Sequence, residues 1–267
     1  MDTYTQPSNI TADANMLVSE ATDDFRVHGS VYTDEQIFRE EMRSIFGKCW
    51  IFIGHESEVR NRGDYKTAFM GHRPVVMSRD RNDKIHVFLN RCHHRGSVVC
   101  REERGSVKRF QCQYHGWVYG LDGGLQGIAK HKGGYPDDLD KSRLGLMPVP
   151  RVEIYRGLVF ANMDAEAVNF LEYLGAAKPF LDIHLDRAPD GEVEVVQGAH
   201  RTEYRGNWKF QAENSTDGYH GDTVHESFFK LVSEFGNKGG QHGAYTQGDL
   251  DEIFAHRMTG RTLGFEN

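Results

Sequence analysis

Two short segments, each combining a cysteine with a histidine, constrain this chain more than any other feature of its sequence. The first is Cys92-His93-His94-Arg95-Gly96, and the second is Cys112-Gln113-Tyr114-His115-Gly116-Trp117. Written as patterns they are C-x-H and C-x2-H, with seventeen residues between His94 and Cys112. Two thiolates and two imidazoles suit a zinc ion or a small iron centre. The segments therefore predict a metal site formed by Cys92, His94, Cys112 and His115.

The distribution of the ligands between the two segments favours one kind of centre. In a Rieske [2Fe–2S] cluster two cysteines hold one iron and two histidines hold the other. Each segment here contributes one residue of each type. The alternative is a Cys2His2 zinc ion, but zinc sites more often use C-x2-4-C and H-x3-5-H pairs. A Rieske cluster is the stronger prediction, and the pattern leaves His93 as an exposed bystander.

Composition limits the partners and the compartment. A chain of 267 residues with 38% hydrophobic residues suits two ordinary domains. The formal charge of −7 argues against a nucleic acid or an anionic membrane as partner. The N-terminal residues lack a basic start followed by an apolar run, which predicts a cytoplasmic protein. Cys49 and Cys100, the two remaining cysteines, are then expected as buried apolar side chains without a disulfide.

Hydrophobic periodicity divides the chain into an arm with a helix, a β-rich part and a second mixed part. Residues up to about Val31 show no clear period, and Thr33 with Gln36 predicts a capping box that opens a helix ending before Gly47. Short β-like runs follow: Trp50–Ile53, Tyr65–Met70, Val75–Ser78, Ile85–Leu89, Val107–Gln111 and Arg156–Asn162. An irregular surface segment is predicted for Leu121–Pro150, a helix for Ala165–Leu174, and two strands for Glu192–Gln197 and Ala199–Arg205.

A second group of candidate ligands lies in the run from Gly206 to His225. On a continuous helix Glu213, Asp217 and His220 share a face, because offsets of four and three residues each return close to one turn. His225 would lie roughly 140° away, so both histidines can bind one metal only if the helix ends or bulges near Gly221. Two histidines and a carboxylate form the facial triad of non-heme Fe(II) oxygenases. The alternative is a polar helix face with satisfied histidines.

Taken together, the two groups resemble one known family. C-x-H-R-G followed by C-x-Y-H-G-W is similar to the cluster motif of Rieske non-heme iron ring-hydroxylating oxygenase large subunits, and N-W-K-x-x-x-E-N-x-x-D-x-Y-H-x4-H is similar to their mononuclear-iron signature. Respiratory Rieske proteins would add a further cysteine to each ligand segment. The resemblance extends from about Thr33 to about Phe229, and the iron signature is closest to that of benzoate-type large subunits.

The resemblance implies roles for residues of both groups. His220 and His225 would bind a mononuclear Fe(II). Asp217 would join the two metal centres, contacting His220 and accepting a hydrogen bond from a cluster histidine such as His115 of the partner subunit. Glu213 and Asn214 would support this bridge and the substrate cavity.

The implied fold is α+β, with a small all-β Rieske domain and an incomplete catalytic domain of antiparallel sheet and helices. The expected boundaries are 1–47 for the arm and helix, 48–165 for the Rieske domain and 166–267 for the catalytic part.

The implied activity is that of the terminal component of an aromatic-ring-hydroxylating dioxygenase. It would use O2 and electrons from NAD(P)H that arrive through a reductase or a ferredoxin, because no G-x-G-x-x-G opens a helix in this chain. The partners implied are an aromatic substrate, with a carboxylate expected, and further subunits in a homotrimer or a trimer with a small β subunit.

One departure from the family concerns the third iron ligand, an aspartate that lies far beyond the second histidine. Asp222, Asp249 and Asp251 follow His220 here, and none matches that position. We therefore expect that the chain lacks the C-terminal part of the catalytic domain. A Rieske electron-transfer protein without oxygenase activity is the alternative function, and a zinc-stabilised interaction domain is a third.

Overall fold

A computed structural model describes residues 17–21, 24–188, 190–196 and 202–236, which fall into two units, 1–201 and 202–267. The strands are β1 Val18–Ala21, β2 Asp24–Val27, β3 Ile51–His55, β4 Asp64–Met70, β5 Arg73–Arg79, β6 Ile85–Leu89, β7 Arg104–Ser106, β8 Phe110–Gln111, β9 Val118–Tyr119, β10 Leu125–Gly127, β11 Arg151–Tyr155 and β12 Leu158–Asn162. The helices are α1 Ser30–Thr33, α2 Glu35–Ser44, α3 His131–Gly134, α4 Phe170–Leu174, α5 Lys178–Leu185, α6 Trp208–Thr216, α7 Gly221–Val224 and α8 Glu226–Gly236.

The N-terminal part differs from the prediction in two details. Within the region expected to be a loose arm, β1 and β2 pair as an antiparallel hairpin. Helix α2 is capped by Asp34, whose carboxylate accepts from the N–H groups of Gln36 and Ile37, so the predicted cap at Thr33 is wrong by one residue. The Thr33 hydroxyl donates to the Gly29 carbonyl and is thus engaged in the preceding turn.

Three antiparallel sheets form the β-rich part, in the orders β6-β5-β4-β7, β11-β12-β3 and β10-β9-β8. Strand β5 is central in its sheet, and Val75, Val76 and Met77 are all fully buried on it because both of its faces are covered. Burying each such side chain contributes roughly 1.5–3 kcal/mol. One core cluster surrounds the cysteines and joins β5 and β6 to β8 and β9, while a second joins β5 and β6 to β3 and β12.

The segment predicted as irregular surface chain is only partly irregular. Its end pairs with the edge strand β6, since the Leu89 N–H donates to the Met147 carbonyl and the Val149 N–H donates to the Val87 carbonyl. Strand β11, which the sequence pattern missed, then forms a hairpin with β12. An edge strand leaves unpaired backbone groups, and the returning chain satisfies those of β6.

The helical part after β12 also departs from the prediction. Helix α4 begins only after Asn169, whose side chain accepts from the Leu171 N–H. The two strands predicted between Glu192 and Arg205 are wrong for 192–196 and 202–205, which form none, and 197–201 lie outside the described residues. Val195 donates its N–H to the Ser57 hydroxyl and Val196 is 82% exposed, so the alternation there does not mark a buried face.

The α+β class is confirmed, with the long strands between Ile51 and Asn162 and helices on both sides in sequence. The division into the three predicted ranges, 1–47, 48–165 and 166–267, stays a prediction. Among the helices that the structure describes, none is both long and apolar enough to cross a membrane.

Candidate metal centres

The first ligand loop, Cys92–Ser97, is a tight turn closed by its own backbone. The Cys92 N–H donates to the Ser97 carbonyl at 2.8 Å, and the Gly96 N–H donates to the Cys92 carbonyl at 2.9 Å. Gly96 has φ +75°, in the left-handed region where a residue without a Cβ is favoured. Only Asn90 and Arg91 separate the loop from the end of β6, so the loop is held close to the end of a largely buried strand.

The second ligand loop, Cys112–Trp117, repeats this conformation. The Cys112 N–H donates to the Trp117 carbonyl at 2.8 Å, and the Gly116 N–H donates to the Cys112 carbonyl at 2.9 Å. Gly116 has φ +68°. This loop connects β8 to β9, which pair as a hairpin. The two loops thus present their ligands on matching turns, each with a cysteine at its first position.

In the tertiary structure the four predicted ligands form two pairs, one of cysteines and one of histidines. The Cys92 and Cys112 thiols are buried and within hydrogen-bonding reach of each other. The imidazoles of His94 and His115 form the other pair, with ring centroids 4.7 Å apart and planes at 74°. Within the described part of the chain, no three His, Cys, Asp or Glu side chains converge as ligands of a single ion. Two separate pairs fit a centre with two metals better than one zinc ion.

The histidine pair is fixed by aromatic packing. The indole of Trp117 stacks on the His94 ring, with centroids 4.9 Å apart and planes at 4°. The Nδ1 atom of His94 is buried and has no hydrogen-bond partner within the protein. Because buried polar atoms are rarely left unsatisfied, this nitrogen fits a metal ligand. Burial, followed by the proximity of His115, lowers the pKa of His94, which favours the neutral ring that metals bind.

Hydrogen-bond donors surround the two thiols. Burial raises the pKa of Cys92 despite a hydrogen bond from Tyr119. At Cys112 burial acts in the same direction, but the N–H groups of Tyr114 and His115 outweigh it and lower the pKa. Donors aimed at sulfur stabilise thiolate, the form that binds metal.

The sequence did not point to Tyr119, which the structure places beside the cysteines. Its hydroxyl lies 3.0 Å from the Cys92 sulfur and accepts from the His93 N–H at 3.2 Å. The side chain of His93 is exposed, as expected, and its Nδ1 lies 3.1 Å from the Gly145 carbonyl oxygen. The only signal for Tyr119 in the sequence is a hydroxyl four residues after His115.

The second group lies in residues 202–236, where the continuous helix assumed above does not exist. Helix α6 ends at Thr216, and Asp217 is extended with ψ 114°. The Asp217 carboxylate accepts from the Tyr219 N–H at 2.7 Å, a local turn that competes with the helix. The prediction that Glu213, Asp217 and His220 share one helix face is therefore wrong, although Asp217 and His220 still meet.

The break brings the two histidines together. The Nε2 atoms of His220 and His225 are 3.2 Å apart. Two bonds of about 2.1 Å from one divalent ion, at an angle of about 100°, place two nitrogens about 3.2 Å apart. The Nδ1 atom of His220 lies 2.9 Å from Oδ2 of Asp217, and this hydrogen bond lowers the pKa of Asp217. A carboxylate on the second nitrogen is the usual way to orient a metal-binding imidazole.

The other candidates have weaker structural support. Glu213 and Asn214 lie exposed on α6, and the Glu213 carbonyl accepts from the Asp217 N–H at 2.8 Å. Asp222 is exposed on α7, and Asp249 and Asp251 lie outside the described residues. Within 202–236 the histidine pair thus has no third protein ligand.

Comparison with known proteins agrees with this geometry. Residues 49–145 match the family described as the Rieske [2Fe–2S] domain. Residues 49–145, which include both ligand loops, are therefore similar to a Rieske domain. A domain of this kind carries a [2Fe–2S] cluster, as the sequence predicted.

Relatives define the wider class. Anthranilate 1,2-dioxygenase large subunit of Acinetobacter baylyi is 42% identical over 209 residues, 78% of this chain and 44% of the relative. Biphenyl 2,3-dioxygenase subunit alpha of Rhodococcus jostii is 41% identical over 220 residues, 82% of this chain and 47% of the relative. The crystal structure of naphthalene 1,2-dioxygenase from Rhodococcus sp. bound to indole matches with a TM-score of 0.73 and 38% identity, covering 77% of this chain and 47% of that one.

By sequence and fold the chain is a relative of the large subunits of Rieske ring-hydroxylating dioxygenases, as its motifs predicted. It spans slightly less than half the length of these relatives.

Proposed function

We propose that this chain supplies the Rieske domain and the first part of the mononuclear-iron site of an aromatic-ring-hydroxylating dioxygenase. The observation that carries the proposal is the presence of two separate ligand arrangements. One has paired cysteines beside paired histidines. The other has two imidazole nitrogens at a chelating distance, with a carboxylate behind one of them. A zinc ion that only stabilises a fold does not require cysteines paired separately from histidines. It also does not require a second site with two imidazoles and a carboxylate.

In the proposed Rieske centre Cys92 and Cys112 would bind one iron and His94 and His115 would bind the other. In the second site His220 and His225 would bind a mononuclear Fe(II). When bound, the cluster supplies one-electron transfer and the mononuclear iron supplies the site of O2 chemistry. The protein fixes the orientation of the imidazoles, through Trp117 at His94 and through Asp217 at His220. The N–H groups of Tyr114 and His115 favour negative charge at the Cys112 sulfur.

Asp217 has a second proposed role between subunits. One carboxylate oxygen accepts from His220, and the side chain is 47% exposed. In a trimer it would also accept a hydrogen bond from His115 of the partner subunit, so that one carboxylate orients histidines of both centres. Glu213 and Asn214, on the preceding helix, would support this contact and the substrate cavity.

The partners and substrate are assigned by class. Electrons would come from NAD(P)H through a separate reductase or ferredoxin, and the assembly would be a homotrimer or a trimer with a β subunit, in the cytoplasm. One relative is named for anthranilate, an aromatic carboxylate, which supports an aromatic substrate from a class that includes carboxylated rings. A Rieske electron-transfer protein remains the second candidate, because the described residues hold no third ligand for the histidine pair.

Reconstitution with iron and sulfide under anaerobic conditions tests the proposed cluster. We expect the EPR spectrum of a reduced Rieske cluster and a potential between roughly −150 and +300 mV, because histidine ligation raises it above that of plant-type ferredoxins. Cys112→Ser should lose this signal, and Cys100→Ser, at a buried cysteine outside both loops, should keep it. A normal spectrum from Cys112→Ser would overturn the ligand assignment.

The oxygenase step needs a separate experiment. A full-length protein that carries the remaining part of the relatives' length should consume O2 when reductant and an aromatic carboxylate are supplied. A normal cluster without any O2 consumption across a panel of aromatic substrates would favour the electron-transfer protein instead.

A further inference from the structure

The two ligand loops have the same internal hydrogen bonds but different supports at their bases. At the second loop the flanking residues belong to β8 and β9, which pair Gln111 with Val118 and Phe110 with Tyr119. The backbone ladder of a hairpin therefore holds the two ends of that loop together. The positions that correspond in the first loop, counted from its cysteine, are Asn90 and Val99.

The first loop has no such ladder. Residues 97–101 form no strand, and strand β6 ends at Leu89. The backbone N–H of Asn90 donates instead to the Pro74 carbonyl in β5, which ties the outgoing limb to the sheet. The returning limb, at Val99 and Cys100, needs another partner because both residues are buried.

The Asn90 side chain is that partner. Its Oδ1 atom accepts from the Val99 N–H at 3.1 Å and from the Cys100 N–H at 2.8 Å, and its Nδ2 group donates to the Cys100 carbonyl at 2.7 Å. The side chain is 3% exposed, so water does not replace these bonds when they are lost. One side chain thus satisfies three backbone groups of the returning limb.

We propose that Asn90 is a positioning residue that takes the place of a strand ladder and holds the first ligand loop in register with the second. Its side-chain hydrogen bonds go to the backbone of Val99 and Cys100, and it acts by fixing where the loop returns. The role in cluster binding rests on the proposed function, whereas the role in closing the loop does not.

The chain offers a matched control at Asn162. This asparagine is also fully buried, and it also joins backbone groups, donating to the Lys48 carbonyl and accepting from the Asp164 N–H. It lies at the end of β12, in a sheet that contains neither ligand loop. Asn90→Ala and Asn162→Ala therefore both remove buried hydrogen bonds from a side chain to the backbone. Only Asn90→Ala removes them at a ligand loop.

Hydrogen exchange of the full chain without iron tests loop closure directly. In Asn90→Ala we expect the amides of residues 91–101 to exchange about tenfold to a hundredfold faster than in the unmodified chain, because each backbone group left unsatisfied weakens the closed state. Asn162→Ala should leave this segment unchanged. Asn90→Asp keeps both acceptor contacts but sets a carboxylate oxygen against the Cys100 carbonyl oxygen, so its segment 91–101 should also exchange faster than in the unmodified chain.

Cluster retention then tests the consequence. After reconstitution, the rate of cluster loss to a chelator should rise about tenfold or more in Asn90→Ala and stay near the original rate in Asn162→Ala. Equal exchange of residues 91–101 in the unmodified chain and Asn90→Ala would overturn the proposal even if the cluster forms normally. An unmodified chain that binds no cluster but shows the expected exchange pattern would instead refute the proposed function and support the role of Asn90 in the loop.

Discussion

Replacing Tyr119 by phenylalanine should lower the reduction potential of the cluster. The ring of Tyr119 is fully buried in the core around the cysteines, and phenylalanine keeps that packing. The change removes only the hydroxyl, which lies 3.0 Å from the Cys92 sulfur. The His93 N–H loses its acceptor as well, in a partly buried contact.

The size of the shift follows from the energy of one hydrogen bond to a charged group, about 1.5–3 kcal/mol. The bond is stronger in the reduced state because the sulfurs then carry more negative charge. If the difference between the two states is about 1–1.5 kcal/mol, the potential falls by about 40–65 mV, since a tenfold change in a one-electron equilibrium corresponds to about 59 mV.

A redox titration followed by EPR or circular dichroism measures this shift. Tyr135→Phe is the matched control, because the Tyr135 hydroxyl lies 3.5 Å from Nε2 of His94, too long for a strong hydrogen bond. We expect its potential to stay near that of the unmodified chain. A Tyr119→Phe potential within about 10 mV of the original value, or above it, would refute the assignment of this hydroxyl as a donor to the cluster.

The remaining predictions concern the ligands, the bridge and the free thiols. His94→Ala should lose the cluster while His93→Ala keeps it, as measured by iron and sulfide content, and the reverse result would mean that the ligand register is off by one. In a protein extended to the length of the relatives, Asp217→Asn should keep both metals but slow electron transfer between the centres by orders of magnitude, as stopped-flow absorption would show. Loss of the mononuclear iron would make Asp217 a ligand instead. Burial raises the pKa of Cys100 to about 12, so its thiolate fraction at pH 8 is only about one in ten thousand. Iodoacetamide at that pH should therefore label the partly exposed Cys49 first, and mass spectrometry would detect the opposite order.

Local sequence patterns predicted an element correctly where the formation of that element depends on its own residues. Strand β6 was predicted with its correct ends because Ile85, Val87 and Leu89 alternate along it. The helix cap was missed by one residue because Thr33 and Asp34 are both good caps, and the preceding turn engages Thr33. The strands expected after Glu192 failed because alternation in sequence does not supply a neighbouring strand, and Val196 is left exposed.

The sequence by itself determined which side chains are available for metal and in what order. The C-x-H, C-x2-H and H-x4-H segments are features of the sequence itself. Their cysteine and histidine side chains are metal donors because of their chemistry. It also determined the two glycines that the ligand turns need.

Only the tertiary structure decided how those side chains group. Spacing along the chain does not say that cysteine meets cysteine and histidine meets histidine, because each pair joins loops from different strands. Nor did helical periodicity place His220 beside His225, since their contact depends on the end of α6 at Thr216. Tyr119 and Asn90 act through contacts with residues distant in sequence, and such contacts exist only once the sheets and the core have formed.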